Sequence, residues 1–296
     1  MGEEDIIDSM KESIYAMDVP VTIALLGDMH GKPYGQVVGS LRENRPGIIA
    51  VAGDIVYGHQ PKEDVSPLVS QANILPFLTE IARIAPTFLS LGNHEWMLDE
   101  EDLEQIRGTG VTVLDNRWIV HNGLVIGGLT SAVVLRYRRY RRECQQNHPQ
   151  NSGRYPEPAE QTAGDGVRVR KSGQDDNEIQ ACDNTPKPSK KPDLSWLPAF
   201  LEAEGCHVLL NHHPEYYPLL PRGIELVLSC HAHGGQWRFF NPFMFRTQGL
   251  YAPGQGLFPK WTRGVYDNRL IVSAGLANTT RIPRLFNPTE VVYIRP

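Results

Sequence analysis

The sequence contains few cysteines and none of the features that mark a membrane or secreted protein. Its 296 residues include four cysteines, which are widely spaced and form no C-x-x-C pair. Neither a zinc ribbon nor a dense disulfide framework is therefore expected. No apolar run approaches the about 20 residues that cross a bilayer, and the N-terminus is acidic rather than basic and apolar. We expect a soluble cytoplasmic protein with reduced thiols.

The sequence also lacks an excess of positive charge. The formal net charge is -5 and the isoelectric point is about 6.1. The chain as a whole therefore has no attraction for nucleic acid or anionic lipid, and either partner would need a local patch. With 41% hydrophobic and 21% charged residues, the composition is typical of a globular protein of enzyme size.

Short apolar runs that end in polar clusters recur along the chain. Five of them predict strands buried on both faces, at 21–26, 48–52, 87–91, 208–210 and 224–229. Helices are predicted at 67–84, 99–107 and 194–204. Further strands are expected at 111–114, 118–120, 124–129, 270–274 and 291–294. The alternation of strands and helices favours an α/β fold, and the strands without intervening helices indicate a second or mixed sheet.

Two stretches break this alternation. Residues 136–193 are rich in Gln, Asn, Pro, Lys, Asp and Gly and have almost no apolar periodicity, so we expect a disordered or weakly ordered insertion. Residues 236–266 instead combine glycine and proline with many aromatic residues. This composition predicts an ordered loop whose aromatic side chains pack on the core.

Potential metal ligands follow five of the predicted strands. They are Asp28 and His30, then Asp54, then Asn93 with His94 beside it, then His212, and finally His231 and His233. Ligands bind to open α/β sheets beyond the carboxyl ends of the strands, where segments distant in sequence meet. In D-x-H and H-x-H pairs the side chains point to the same side of an extended segment, so each pair is able to hold one ion. Carboxylate, imidazole and amide donors together suit Mn, Fe or Zn.

In this order the motifs resemble the signature of calcineurin-like metallophosphoesterases. The chain carries D-x-H at Asp28, G-D at Asp54, G-N-H-E at 92–95, H-x-P at His212 and a G-H-x-H-like element at His231. Each motif is weak alone, whereas five in the family's order are specific. The resemblance spans about residues 21–296. It is closest to the bacterial YkuE-type phosphodiesterase branch, because the run HGGQ at 233–236 and the tail segments 263–266 and 273–276 are similar.

The resemblance implies a fold and a domain organisation. The fold is an α/β, four-layer αββα sandwich of two mixed β-sheets flanked by helices. A single domain over residues 21–296 follows an N-terminal extension at 1–20, and the insertion at about 136–193 interrupts it.

The resemblance also implies a role for each residue of the motifs. One metal ion is implied at Asp28, His30 and His233 and another at Asn93, His212 and His231, with Asp54 bridging the two. His94 would lie beside the metals as an acid for the leaving oxygen, oriented by Glu95. The implied reaction is hydrolysis of a phosphate ester by a hydroxide between the two ions.

A few positions depart from the family pattern or stay ambiguous. Cys230 stands where the family usually has glycine; since alternation points it away from the ligands, we expect a buried structural cysteine. Residues 128–131 lack the acidic residue of relatives. The H-x-P spacing selects His212 over His213, and His59 is a loop residue that either reaches the substrate or stays exposed. A structural role is expected for the other histidines, which are His121, His148 and His207.

Three functions fit this sequence. The first is a phosphodiesterase or phosphatase that acts on a small-molecule or lipid-linked phosphate ester. The second is a nuclease of the same chemistry, in which the arginine-tyrosine segment 136–142 binds phosphates and stacks bases. That segment would also bind an anionic membrane. The aromatic residues of 236–266 would form an apolar wall for a lipid-like substrate. The third is a non-catalytic scaffold, against which the retention of His94 and of seven ligand residues argues.

Overall fold

Two β-sheets packed face to face, with helices on both outer surfaces, form the body of the protein. The structure is a computed structural model, and it describes residues 10–58, 66–147, 191–241, 246–278 and 283–296. The layers follow the order helix, sheet, sheet, helix, which confirms the αββα sandwich expected from the resemblance. Within these ranges no helix is long and apolar enough to cross a membrane.

The first sheet has six strands. They are β1 (Lys11–Ala16), β2 (Ile23–Leu26), β3 (Ile48–Ala52), β4 (Thr87–Ser90), β5 (Thr112–Leu114) and β16 (Glu290–Arg295), in the order β1-β16-β2-β3-β4-β5. β2, β3, β4 and β5 are parallel, whereas β16 runs antiparallel to β2 and parallel to β1. The carboxyl ends of β2, β3 and β4 therefore lie side by side at one edge.

The second sheet also has six strands. They are β6 (Arg117–His121), β7 (Leu124–Leu129), β8 (Cys206–Asn211), β9 (Leu226–Ser229), β14 (Gly264–Tyr266) and β15 (Leu270–Val272), in the order β14-β15-β9-β8-β7-β6. The four central strands are parallel, and β6 and β14 form antiparallel edges. Both sheets are therefore mixed, as the resemblance implied.

The strands of the first sheet contribute side chains to two cores. In β2, Ile23 and Leu25 face the second sheet, whereas Ala24 and Leu26 face the helices. This division follows from the strand itself, because successive side chains point to opposite faces. A fully buried leucine or isoleucine contributes about 1.5–3 kcal/mol to folding. The central strands are thus strongly held, and their ends carry the polar residues described below.

Helices cover the outer face of the first sheet. They are α1 (Gly35–Asn44), the single turn α2 (Pro67–Ser70), α3 (Ile74–Ile84) and α4 (Glu100–Gly108). α4 begins at a capping box, in which Asp99 accepts a hydrogen bond from the N–H of Asp102 and Asp102 accepts one from the N–H of Asp99. The structure divides the helix predicted at 67–84 into α2 and α3. At the break, the side-chain amide of Gln71 forms hydrogen bonds with the backbone N–H and carbonyl of Tyr57.

Helix α5 (Ala132–Asn147) corrects the predicted start of the insertion at residue 136. The helix continues past that point because Val134 and Tyr137 are buried. The Tyr137 ring packs on Trp96 with 4.4 Å between centroids, and Arg141 donates to the carbonyl of Trp96 over 3.0 Å. Residues 148–190 of the predicted insertion lie outside the described residues.

Two further segments differ from the sequence-based expectation. Part of the expected N-terminal extension forms β1, the edge strand that pairs with β16. The helix predicted at 194–204 is shortened to α6 (Leu197–Glu202), whose Phe200 is fully buried against the second sheet.

Residues 236–266 form small ribbons rather than a plain loop. β10 (Arg238–Asn241) pairs with β11 (Arg246–Gly249), and β12 (Tyr251–Ala252) pairs with β13 (Gly256–Leu257). Trp261 packs against the core as expected. The expectation is wrong for Phe240 and Phe258, which are 61% and 62% exposed, because the ribbons stand apart from the two main sheets.

Candidate metal centre

The polar residues predicted as ligands lie together at the carboxyl ends of the strands. Asp28 and His30 follow β2, Asp54 follows β3, Asn93 follows β4, His212 follows β8, and His231 and His233 follow β9. Four sets of donor atoms there lie within 4.8 Å of one another: Asp28, His30 and His233; Asp54, His212 and His231; His30, Asp54 and His94; and His213, Glu215 and His231. The third set shares His30 with the first and Asp54 with the second. Asp54 therefore lies between the two predicted ligand groups.

His212 is the centre of the tighter group. Its Nε2 lies 3.0 Å from Asp54 Oδ2, 3.1 Å from Asn93 Oδ1 and 3.2 Å from His231 Nδ1. One ring nitrogen has at most one proton to share, so hydrogen bonding by His212 alone does not account for three such contacts. Oxygen and nitrogen donors directed at one point fit a borderline divalent cation.

The Asp28 group is looser. Asp28 Oδ1 lies 4.0 Å from His30 Nε2, and Asp28 Oδ2 lies 4.0 Å from His233 Nδ1. These separations are too long for hydrogen bonds. His30 Nε2 is buried and has no hydrogen-bond partner among the described residues, although buried polar atoms are usually paired. A cation between these three side chains would satisfy that nitrogen, so this group also fits a metal.

Backbone carbonyls orient the two most buried imidazole rings. His30 Nδ1 lies 3.1 Å from the carbonyl oxygen of Val56, and His212 Nδ1 lies 2.7 Å from that of Ala52. A ring that donates through Nδ1–H to a carbonyl presents Nε2 as a lone pair. Outer hydrogen bonds of this kind fix the tautomer and direction of metal-binding histidines.

The backbone of the site is strained at the residues that carry the donors. Asp28, His30, Asp54, His231 and His233 all have left-handed conformations, with φ between 45° and 63°. This region costs a residue other than glycine roughly 1–2 kcal/mol, and such strain concentrates at functional sites. The glycines nearby permit the close packing, because a Cβ atom at Gly92 would collide with Asp54 and one at Gly275 with Asp28.

The buried charges shift the protonation of one another. Burial lowers the pKa of His212, but the charges of Asp54 and Asp28 outweigh it and raise that pKa to about 10. Burial also opposes ionisation of Asp54, yet His212 and His94 hold its pKa well below the usual range. Burial raises the pKa of Asp28 to about 7. In the absence of a cation, the protonated His212 therefore balances the charge of Asp54.

His94 lies beside the ligand groups with its Nε2 toward them. Its backbone N–H donates to Asp54 Oδ1 over 2.8 Å, and its ring Nε2 is 3.9 Å from Asp54 Oδ2. Its Nδ1 accepts a hydrogen bond from the N–H of Gly58 over 2.9 Å. A nitrogen that accepts carries no proton, so this contact selects a neutral ring with the proton on Nε2.

Glu95 supports the loop of Asp54 rather than the ring of His94. Its two carboxylate oxygens accept hydrogen bonds from the N–H groups of Gly92, Asp54, Ile55 and Val56, at 2.7 to 3.3 Å. Burial raises the pKa of Glu95, and the charge of Asp54 adds to this, while the amides of Asp54 and Val56 favour the charged form. The geometry thus differs from the predicted orientation of His94 by Glu95.

Glu215 and Ser131 are polar neighbours of the site that the motif pattern did not identify. Glu215 Oε1 lies 3.1 Å from His213 Nδ1 and 3.7 Å from His231 Nε2. His213 also meets the hydroxyl of Ser131 through Nε2 over 2.8 Å. Burial and the neighbouring His212 lower the pKa of His213. His213 therefore contacts both Glu215 and Ser131 and lies next to His231.

Arg284 is a third neighbour that the sequence did not single out. Its Nη2 lies 3.2 Å from His233 Nδ1 and donates to the carbonyl of Ala277. Burial and the charge of Arg284 lower the pKa of His233 to about 3. The ring of His233 is thus neutral, the state in which a histidine binds a metal. No motif marks Arg284 because it lies far from the ligands in sequence.

The remaining residues in doubt have structural surroundings or lie outside the described residues. Cys230 is fully buried between the sheets, and its Sγ lies 3.8 Å from the carbonyl oxygen of Leu26, as expected of a structural cysteine. His207 bonds Glu225 and the carbonyl of Phe200, and His121 stacks edge-on with Phe88. The sequence-based interpretations of His59 and His148 fall outside the described residues.

Comparisons with known proteins agree with this arrangement. Residues 21–235 match the model of the Metallophos family, calcineurin-like phosphoesterase. The Caenorhabditis elegans protein "Putative metallophosphoesterase F40B5.2" is 24% identical over 297 residues, which cover 93% of this chain and 48% of that protein. The chain thus spans about half the length of this relative.

A solved structure of a cold-active protein-tyrosine phosphatase from a psychrophilic Shewanella species is also similar over 90% of this chain and 73% of that one. Its identity is 12% and its TM-score 0.30. The family model, in contrast, covers most of the chain. The chain belongs to the calcineurin-like phosphoesterase family.

Proposed function

We propose that this protein hydrolyses a phosphate ester with the help of two bound cations. Asp28, His30 and His233 hold one of them, Asn93, His212 and His231 hold the other, and Asp54 is shared. The observation that carries the proposal is the position of Asp54, whose carboxylate lies within 4.8 Å of donor atoms from both groups. Membership of the calcineurin-like phosphoesterase family supports the class of reaction.

Two cations bound about 3.5–4 Å apart would offset the charge of the phosphate and bring the pKa of water toward neutrality. Asp54 serves both groups because its Oδ2 is 3.0 Å from His212 of one group and its carboxylate lies within 4.8 Å of a ring nitrogen of His30 of the other. Glu95 holds the loop of Asp54 in place through backbone amides. The carboxylate is thereby fixed before any ion or substrate arrives.

His94 contributes a hydrogen-bond donor to the reaction. Because Nδ1 accepts from Gly58, the ring proton is on Nε2, which faces Asp54 at 3.9 Å and would donate to a phosphate oxygen or to the leaving oxygen. A neutral imidazole of this kind stabilises developing negative charge rather than acting as an imidazolium acid. Arg284, beside His233, adds a positive charge at the same border of the site.

The finer assignments follow from the donor chemistry and from the resemblance. Mixed carboxylate, amide and imidazole ligands favour Mn, Fe or Zn. The resemblance to the YkuE-type branch favours a phosphodiester over a phosphomonoester. We therefore expect bis-nitrophenyl phosphate to be turned over faster than nitrophenyl phosphate.

The nuclease is the weaker candidate because two of its five proposed phosphate-binding arginines are engaged elsewhere. Arg138 forms an ion pair with Asp115, and Arg141 donates to the carbonyls of Trp96 and Met97. Both contacts fasten α5 to the body of the protein. An arginine bound in this way is less available to a nucleic acid backbone.

Chelation and reloading test the proposed function. Protein treated with a chelator is expected to lose hydrolysis of both nitrophenyl esters and to regain it with Mn, Fe or Zn. Asp54→Asn should not be reactivated. Asp267→Asn is a matched control, because Asp267 is an exposed aspartate with the same left-handed φ, 53° against 55° for Asp54. Full activity in the chelated protein or in Asp54→Asn would contradict the proposal.

A further inference from the structure

Large apolar side chains are exposed beside the metal centre. Six of them form what we call the aromatic rim: Trp237, Phe239, Phe240, Leu257, Phe258 and Phe286, which are 40% to 80% exposed. Single exposed apolar residues are ordinary, whereas a group of them in one region marks an interaction surface. Packing of the protein core therefore does not account for the rim.

The rim is attached directly to the metal centre. Arg284, which contacts His233, lies two residues before Phe286. The side chain of Asn287 donates to the carbonyl oxygens of His233 and Gln236 over 2.7 and 3.1 Å, and Trp237 pairs with Leu285 across an isolated bridge. The part of the rim at Trp237 and Phe286 is consequently linked to the backbone of His233, one of the proposed ligands.

The rim is also held in an unfavourable backbone conformation. Phe258 and Phe286 both have φ of 53°, in the left-handed region that bulky residues rarely adopt. The N–H of Phe258 is fixed by the carbonyl oxygen of Leu250 over 2.8 Å. Strain that keeps an exposed aromatic ring in place is typical of a functional surface.

The geometry of β10 favours a fluid partner over a flat one. Phe239 and Phe240 are successive residues of this strand, so their side chains point to opposite faces of the β10–β11 ribbon. Both are exposed, at 40% and 61%. A protein surface would cover one face of the ribbon, whereas lipid is able to surround both.

The charge of this part of the chain indicates an anionic partner. Residues 231–289 contain seven arginines and lysines and one acidic residue, Asp267, in a chain whose net charge is -5; of the seven, Arg238 is buried and Arg263 pairs with Glu290. The exposed Lys260 lies 4.7 Å from the ring of Trp261, close to the rim in sequence. Lysine and arginine near a membrane surface are attracted by anionic headgroups.

We propose that the aromatic rim docks on an anionic lipid surface, and that the metal centre takes a lipid with a phosphoester headgroup from that surface. Aromatic side chains prefer the boundary between headgroups and acyl chains, and apolar residues of peripheral proteins enter that layer. The rim would then hold the ligand groups at the depth of the headgroups. The substrate part of this proposal rests on the proposed function, whereas the docking part does not.

Vesicle flotation tests the docking. The wild-type protein should float with phosphatidylcholine vesicles that contain phosphatidylglycerol and less with phosphatidylcholine alone. The variant Phe240→Ser/Phe286→Ser should bind at least about tenfold more weakly. Ile14→Ser/Val120→Ser is the matched control, since both residues are apolar and 52% exposed on β1 and β6, and it should float like the wild type. Circular dichroism verifies that both variants fold.

Hydrolysis separates the two parts of the proposal. The rim variant should lose more turnover of a phosphoester lipid in vesicles than of a soluble nitrophenyl ester. A protein that hydrolyses the soluble ester but does not float, or that floats equally with and without the rim, would overturn the docking. A protein that floats and hydrolyses nothing would contradict the proposed function instead. Concentration-dependent dimerisation that the rim variant abolishes, without flotation, would identify the rim as a contact between copies and also overturn the docking.

Discussion

The metal centre and the aromatic rim reverse the usual distribution of residues in opposite ways. In the centre, ionisable side chains such as Asp28 and Asp54 are 0% and 1% exposed, whereas in the rim Phe240 and Phe286 are 61% and 80% exposed. Folding alone favours the opposite arrangement, with charge outside and aromatic rings inside. Both regions also contain residues with left-handed φ. Positions whose burial and backbone conformation both disfavour folding are expected to be functional.

The two regions differ in how the rest of the protein holds them. The centre sits on the ends of the central strands, whose side chains are buried on both faces. The rim sits on short ribbons that belong to neither six-stranded sheet. Substitutions in the centre should therefore change metal binding and chemistry, whereas substitutions in the rim should change contact with a partner and leave the fold intact.

The largest effect is expected for Asp54→Asn. Both ligand groups lose their shared carboxylate, so kcat/KM for a nitrophenyl diester should fall by more than the roughly 10²–10³-fold that removal of one oxyanion donor costs. Metal content should fall as well. Parallel kinetics and elemental analysis of Asp54→Asn and Asp267→Asn measure this. Equal losses in both variants would indicate a general effect on the fold.

The next largest effect is expected for His94→Ala. Loss of the Nε2–H should lower kcat by about 10²–10³-fold, as for other donors aimed at developing charge, while both metals stay bound. Elemental analysis alongside kinetics separates the donor role from a ligand role. Loss of one equivalent of metal in this variant would make His94 a ligand rather than a donor.

A smaller effect is expected for Glu215→Ala. Glu215 lies behind His213 and His231, and removal of an outer partner of a metal-binding histidine typically lowers metal affinity by about 10–100-fold. Glu215→Gln keeps an oxygen acceptor and should recover part of this loss. Titration of the chelated protein with metal ions gives both affinities. Wild-type affinity in Glu215→Ala would exclude the supporting role.

Metal affinity should also rise with pH. Burial lowers the pKa of His212, but Asp54 and Asp28 raise it to about 10, and burial raises the pKa of Asp28 to about 7. Both groups have raised pKa values, so at neutral pH they hold protons that a cation must displace. Affinity should therefore increase up to about pH 7 as Asp28 and His212 both release a proton, and from there toward pH 10 as His212 alone does, by up to about tenfold per pH unit for each proton released. Calorimetry in buffers of different ionisation enthalpy counts the protons; none released would refute the linkage.

The smallest effect on the free energy of unfolding is expected for Phe240→Ala in the rim, and Phe200→Ala in the core is its comparison. Phe240→Ala should change the free energy of unfolding by about 0.5 kcal/mol or less, as is usual for exposed positions. Phe200→Ala, at a residue that is 0% exposed, should cost about 3–5 kcal/mol because it leaves a cavity. Denaturant titration measures both. A large cost at Phe240 would mean that the rim packs on the body of the protein after all.

Local patterns in the sequence predicted the α/β class and the set of residues at the strand ends, whereas the four-layer sandwich was implied by the family resemblance. A buried strand is a short apolar run, and Asp28, Asp54 and His212 stand directly after such runs. The structure brings these residues together, because the carboxyl ends of β2 and β3 in the first sheet meet that of β8 in the facing sheet. Their assignment to particular metals stays a prediction.

Features that depend on contacts between distant segments were not predictable. Glu215 and Arg284 lie beside His231 and His233 only after the sheets have packed. The exposure of Phe240 was missed because aromatic composition indicates a buried side chain equally well. Helix α5 was missed from residue 136 because its stability comes from contacts with Trp96 rather than from apolar periodicity.

The number of metal ions bound per chain tests the central claim most directly. Chelated protein reloaded with manganese, iron or zinc and freed of excess ion should retain two equivalents by elemental analysis, and Asp54→Asn should retain fewer. Two equivalents in the wild type, with a loss in the variant, would support a site in which Asp54 joins two ligand groups. One equivalent or none in the wild type would contradict it.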